Sequence, residues 1–99
     1  MKTVFVVYAD DNVGTAVLEP IQAGDNVSTN GERSDIQLTA RADIAYGHKI
    51  ALLDIAAGAT VRKYGLSIGS ATQAIRAGDH VHAHNVESNR GRGDLAEGE

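Results

Sequence analysis

Ile21-Gln22-Ala23-Gly24-Asp25-Asn26-Val27 sets a pattern that the chain repeats. Ile44-Ala45-Tyr46-Gly47-His48-Lys49-Ile50, Ile55-Ala56-Ala57-Gly58-Ala59-Thr60-Val61 and Ile75-Arg76-Ala77-Gly78-Asp79-His80-Val81 follow it. Each unit reads Ile, two residues, Gly, two residues, then Val or Ile. A glycine between β-branched flanks suits a turn position with positive φ, which other residues resist. Each unit therefore reads as a strand end, a tight turn and a strand start. The units follow one another at unequal intervals, which excludes a solenoid of equal repeats. The implied architecture is a compact all-β domain with one turn device used four times.

Working outward, short strands are expected over residues 4–8, 15–18, 36–40, 50–53, 66–71 and 81–86. Residues 36–40 alternate apolar and polar side chains, the mark of a strand with one wet face. Gly69 is expected to bend the 66–71 strand. Residues 24–34 read as a polar loop or hairpin tip. A single helical turn is expected at 54–57 or 71–75, each just before a glycine. Beyond Asn85 the chain has almost nothing to bury. Residues 1–86 thus form the domain, and residues 87–99 read as a flexible tail or linker.

Composition narrows the class. Ninety-nine residues with 42% hydrophobic content make one modest core. That core must be aliphatic, because there are one Phe, three Tyr and no Trp. Zero cysteines exclude disulfides, thiolate metal sites and a Cys nucleophile. No apolar run approaches a membrane span, and the start from Met1 to Tyr8 is too short for a secretory signal. A soluble, cytoplasmic protein with no membrane partner is the expectation. A net charge of −4 argues against nucleic acid as a partner.

Chemistry concentrates in two places. His80-Val81-His82-Ala83-His84 places three imidazoles at spacing two. On a strand they would share one face, with successive rings roughly 7 Å apart at the backbone. Imidazole ligates metals and moves protons near neutral pH. Asn85, next in line, offers a donor and an acceptor. The second place is Gly47-His48-Lys49. Lys49 lies two residues after its turn glycine, as His80 does, so the two turns could present their charges to one region. Arg62-Lys63-Tyr64-Gly65 adds two cations and a phenol. The sequence has no phosphate-binding Gly loop ending in Lys-Ser/Thr, no serine elbow and no carboxylate pair at an acid–base spacing. By itself it holds tools for proton transfer and anion binding, without a complete active site.

Gly47-His48-Lys49-Ile50-Ala51-Leu52, Asp54-Ile55-Ala56-Ala57-Gly58, Lys63-Tyr64-Gly65 with Ile68-Gly69 and Ala71, then Ile75, Gly78 and His80-Val81-His82 with His84-Asn85 stand in one order. In that order they resemble the altronate/galactarate dehydratase family, at its N-terminal SAF domain or small subunit. The resemblance implies a β-clip fold of short strands joined by Gly turns. It implies the small subunit of a sugar-acid hydro-lyase, inactive without a large dehydratase subunit, forming 2-keto-3-deoxy acids from altronate- or galactarate-type substrates. Fe²⁺ or Mn²⁺ is the implied cofactor of the assembled enzyme, with His82 and His84 the candidates for metal contact on this chain. Candidate catalytic residues are His48, His82 and His84; candidate substrate contacts are Lys49, Tyr64, His80 and Asn85. Because such a site is shared, the isolated chain is expected to leave a face open to homo-oligomerisation. The alternatives are a non-catalytic sugar-acid-binding or assembly module, or the small subunit of a sulfolactate sulfo-lyase.

Overall fold

The computed structural model describes residues 1–88. Their regular elements are all strands, as expected: β1 (Lys2–Val6), β2 (Val13–Thr15), β3 (Asn26–Gly31), β4 (Gln37–Thr39), β5 (Lys49–Ala51), β6 (Thr60–Lys63), β7 (Leu66–Ala71), β8 (His80–Val81) and β9 (Val86–Ser88). Six form one sheet in the order β4-β3-β1-β2-β5-β8, and three form a second in the order β6-β7-β9. β1 and β3 run parallel and every other pair is antiparallel.

The repeated heptads organise both sheets. In each, the third turn residue is the glycine, with φ of 93° at Gly24, 83° at Gly47, 84° at Gly58 and 94° at Gly78. Each turn closes with the hydrogen bond of a four-residue turn: Asp25 N–H to Gln22 C=O, His48 to Ala45, Ala59 to Ala56 and Asp79 to Arg76, all at 2.9 Å. Positive φ at the third position is what a type II turn demands. Each glycine N–H then donates to the carbonyl of a buried alanine. The pairs are Gly24 with Ala40, Gly47 with Ala16, Gly58 with Ala71 and Gly78 with Ala51. Each alanine N–H returns a bond to the residue after the glycine. Ile21 bridges to Ile44, and Ile55 to Ile75. The four units are therefore two couples rather than a row, which is why their spacing along the chain is uneven.

The β-branched ends of the units build the core. Ile21, Val27, Ile44, Ile50, Ile55, Val61, Ile75 and Val81 are all at most 3% exposed. They divide between two apolar clusters, one around Val4, Val6 and Ala16, the other around Val13, Ala51 and Ala71. A fully buried side chain of this size contributes about 1.5–3 kcal/mol.

Four expectations need correction. Most of residues 24–34 is not a loop, since Asn26–Gly31 is strand β3, with Val27–Gly31 paired to β1; residues 32–34 do lie in the tip of the β3–β4 hairpin. The inward positions of β3 are Val27 and Thr29, and the Thr29 hydroxyl is absorbed by hydrogen bonds with the Ile36 backbone. A polar residue on the buried face hid the period-2 signal. No helical turn forms at 54–57 or 71–75, because the extended arms of the Gly turns occupy those segments. The expected 81–86 strand is broken: β8 stops at Val81, the chain turns through His82–Asn85, and β9 starts at Val86. Glu87 and Ser88, expected in the tail, belong to β9; the rest of that expected tail lies outside the described residues.

Candidate functional site

Antiparallel pairing of β5 with β8 sets Lys49 opposite Val81 and Ile50 opposite His80. That register brings the second and fourth turns side by side, and with them their histidines. The rings of His48, His80 and His82 lie within 13° of parallel. Their centroids are 5.1 Å apart for His48–His80, 4.2 Å for His48–His82 and 5.4 Å for His80–His82. The His84 ring stands 5.2 Å from His80, tilted by 33°. His48, distant in sequence, thus joins His80, His82 and His84 on one surface.

His48 Nδ1 and His80 Nε2 share a hydrogen bond of 2.9 Å. One nitrogen must carry a proton and the other a lone pair, so the two rings cannot both be cationic while the bond lasts. Burial and the neighbouring His48, His84, His82 and Lys49 hold His80 below the ordinary imidazole pKa. Desolvation, then His48, Lys49 and His84, do the same to His82. The Lys49 ammonium is also pulled below its usual range, first by burial and then by Lys63. His80 and His82 are therefore biased toward neutral imidazoles beside a cation.

A shallow open pocket of about 320 Å³ adjoins the stack where the two sheets meet. Lys49 and His82 line it from the β5–β8 side. Ile68, Val86 and Ser88 line it from the small sheet, with Ala83 between. The stack behind, one cation and an apolar wall suit a small anion. A larger concavity of about 490 Å³ is lined by Tyr8, Ala9, Asp10, Glu32, Tyr64, Gly65 and Leu66. It contains two carboxylates and no histidine, so the smaller pocket is the better match for an anionic ligand.

The candidate residues sort accordingly. His48, Lys49, His80, His82 and His84 converge. Tyr64 lines the other concavity, in the β6–β7 hairpin turn. Its φ of 60° with Gly65 at 73° gives the two-residue turn that hairpin twist prefers. Buried Asp11 holds that turn by accepting the N–H groups of Tyr64 and Gly65 at 2.9 and 2.8 Å. Asn85 is 4% exposed, and both ends of its amide bond backbone groups of its own loop. Sequence reading missed Ile68, Val86 and Ser88, since pocket walls made by a second sheet leave no local signal.

His48, His80 and His82 each offer a ring nitrogen, and these lie within 4.8 Å of one another. Neutral imidazoles suit Fe²⁺ better than Mn²⁺, which prefers oxygen donors. The donor set could thus hold a metal ion. His84 is outside this triad.

Comparison with known proteins bears on the family of the chain. The chain is 41% identical to the (2R)-sulfolactate sulfo-lyase subunit alpha of Chromohalobacter salexigens, over 91% of this chain and 99% of that one. It is 48% identical to the same-named subunit of Paracoccus pantotrophus, over 60% of this chain and 88% of that one. It is also 48% identical to the altronate dehydratase of Escherichia coli, over 84% of this chain but only 16% of the enzyme. The family model described as "Altronate/galactarate dehydratase SAF domain" matches residues 2–89. With the all-β fold and the Gly turns in place, the chain belongs to the altronate/galactarate dehydratase SAF domain family.

Proposed function

We propose that this chain is the small subunit of a two-subunit lyase that eliminates sulfite from sulfolactate. The observation that carries the reading is the extent of the likeness. It runs through 99% of a sulfo-lyase alpha subunit, whereas the altronate dehydratase it matches is about six times longer than the matched part. A subunit named alpha implies a second subunit. The open pocket between the sheets is then the part of the site that this chain contributes.

The substrate is a 2-hydroxy acid with a sulfonate on C3. Elimination takes the proton from C2, and the C2–H electron pair becomes the C2=C3 bond. The C3–S pair leaves with sulfite, and the remaining enol ketonises to a 2-keto acid. Lys49 faces the pocket and holds the carboxylate as a point charge. Charge developing on that carboxylate is stabilised there. His82 lines the same pocket and is kept neutral, as a base for the C2 proton must be. His48 and His80 stack against it and fix its ring. A divalent cation held by His48, His80 and His82 would act as a Lewis acid on the carboxylate, with His82 then a ligand.

The test is reconstitution with a large subunit and assay of sulfite release from (2R)-sulfolactate against water loss from altronate and galactarate. Sulfite release that falls on replacing Lys49 or His82 is the expected result. Water loss alone would assign the complex to the dehydratases, a reading that the 48% identity to altronate dehydratase supports. Full activity with both residues replaced would make the chain an assembly module.

A further inference from the structure

We propose that Asn85 is a positioning residue whose buried side-chain amide, fastened to the backbone of His80 and His82, sets these two imidazoles against His48. The proposal rests on the histidine cluster being the working site. Strand alternation would bring the rings to one face, yet the chain leaves the strand after Val81. Beyond that point something other than a ladder must place His82. Asn85 Oδ1 accepts the His82 N–H at 2.9 Å, and its Nδ2 donates to the His80 C=O at 2.8 Å. The Asn85 N–H donates to the His82 C=O at 3.1 Å, and its own C=O accepts from Thr72 N–H at 2.9 Å. One residue thus closes the loop on itself and ties it to the end of β7.

The residue type is specified by these partners. An acceptor and a donor are needed a short fixed distance apart. Aspartate lacks the donor, leucine lacks both, and glutamine carries them one methylene too far. Because Asn85 is 4% exposed, losing it leaves a carbonyl and an N–H without their partner. Ala83 and Val86, on either side, line the pocket while Asn85 does not. Its influence on the site therefore passes through the histidines.

The experiment uses the full chain and Co²⁺ alone at pH 8, read by visible absorption. Nuclear Overhauser contacts between the ring protons of His48 and His82 are read in the metal-free protein. Asn85→Ala is compared with Asn12→Ala. Asn12 likewise joins two backbone groups, Thr60 C=O and Arg62 N–H at 2.9 and 2.7 Å, but it fastens β6 and not the histidine loop. Both variants should lose thermal stability, Asn85→Ala the more because its bonds are the more buried. Only Asn85→Ala should weaken Co²⁺ binding, by about tenfold or more, as lost support of ligands does, and only it should lose the ring contact. Unchanged affinity and contact in Asn85→Ala, or equal losses in Asn12→Ala, would overturn the proposal. If Asn85→Ala does not fold, Asn85→Ser, which leaves room for water, is held to the same outcomes. If the wild-type chain takes no Co²⁺, the triad fails as a cation site, and the ring contact alone decides the role of Asn85.

Discussion

Replacing Gly47 and Gly78 by alanine separates two costs that the repeated turn combines. Both glycines sit at the third position of the same turn, at φ of 83° and 94°. An alanine Cβ at Gly47 would meet nothing within 4 Å. Its whole cost is the left-handed backbone, about 1–2 kcal/mol for an L residue. At Gly78 the Cβ would fall 2.3 Å from the Thr39 carbonyl oxygen and 3.2 Å from Arg41 Cγ. An atom that close to backbone forces movement. The bonds at risk are Arg41 N–H to Gly78 C=O and Gly78 N–H to Ala51 C=O, both 2.8 Å. Each broken bond adds about 1 kcal/mol, and more if a buried partner is left unpaired. Gly78→Ala should therefore cost at least about 3 kcal/mol, roughly twice Gly47→Ala. In thermal unfolding followed by circular dichroism, Gly47→Ala should lower the melting temperature by about 4–16 °C. Gly78→Ala should come close to unfolding the domain. Equal costs at the two positions would refute the reasoning, because strain alone would then account for both.

Other outcomes follow from the same geometry. Lys49→Met in the reconstituted complex should lower kcat/KM by tenfold or more, since a charged hydrogen bond to a carboxylate is worth about 1.5–3 kcal/mol; an unchanged value would remove Lys49 from the site. Asp11→Ala should destabilise by about 3 kcal/mol, leaving the N–H groups of Tyr64 and Gly65 unpaired in the β6–β7 hairpin, as measured by urea unfolding. The metal-free chain should lose stability in mild acid. His80 and His82 have folded pKa values below the unfolded value of about 6.5, so the unfolded chain binds more protons. Their contribution is complete above about pH 6.5 and is lost as pH falls through the lowered values. Urea midpoints compared at pH 7.5 and pH 5 should show the drop, and His80→Gln with His82→Gln should flatten it; a pH-independent wild type would contradict the assignment.

The four glycine heptads were legible in the sequence because their cause is local. A positive-φ third position needs glycine whatever surrounds it, and β-branched flanks bury themselves wherever the turn is placed. The all-β class and the aliphatic core followed from those residues. The nomination of His48, Lys49 and the 80–84 histidines rested on residue type and spacing, which are also read directly from the chain, while their protonation is set by burial and neighbours in the fold. Which units pair was decided by tertiary structure, through the bridges from Ile21 to Ile44 and from Ile55 to Ile75. The convergence of His48 with His80 came from the register of β5 on β8, which no local pattern encodes. Strand β3 was hidden because the hydroxyl of Thr29 is satisfied by a residue seven positions away. The pocket needs two sheets, so its apolar wall of Ile68 and Val86 exists only once β7 and β9 pack beside Lys49 and His82. Short-range backbone preference is written residue by residue; convergence of side chains depends on strand register, which many distant contacts set together.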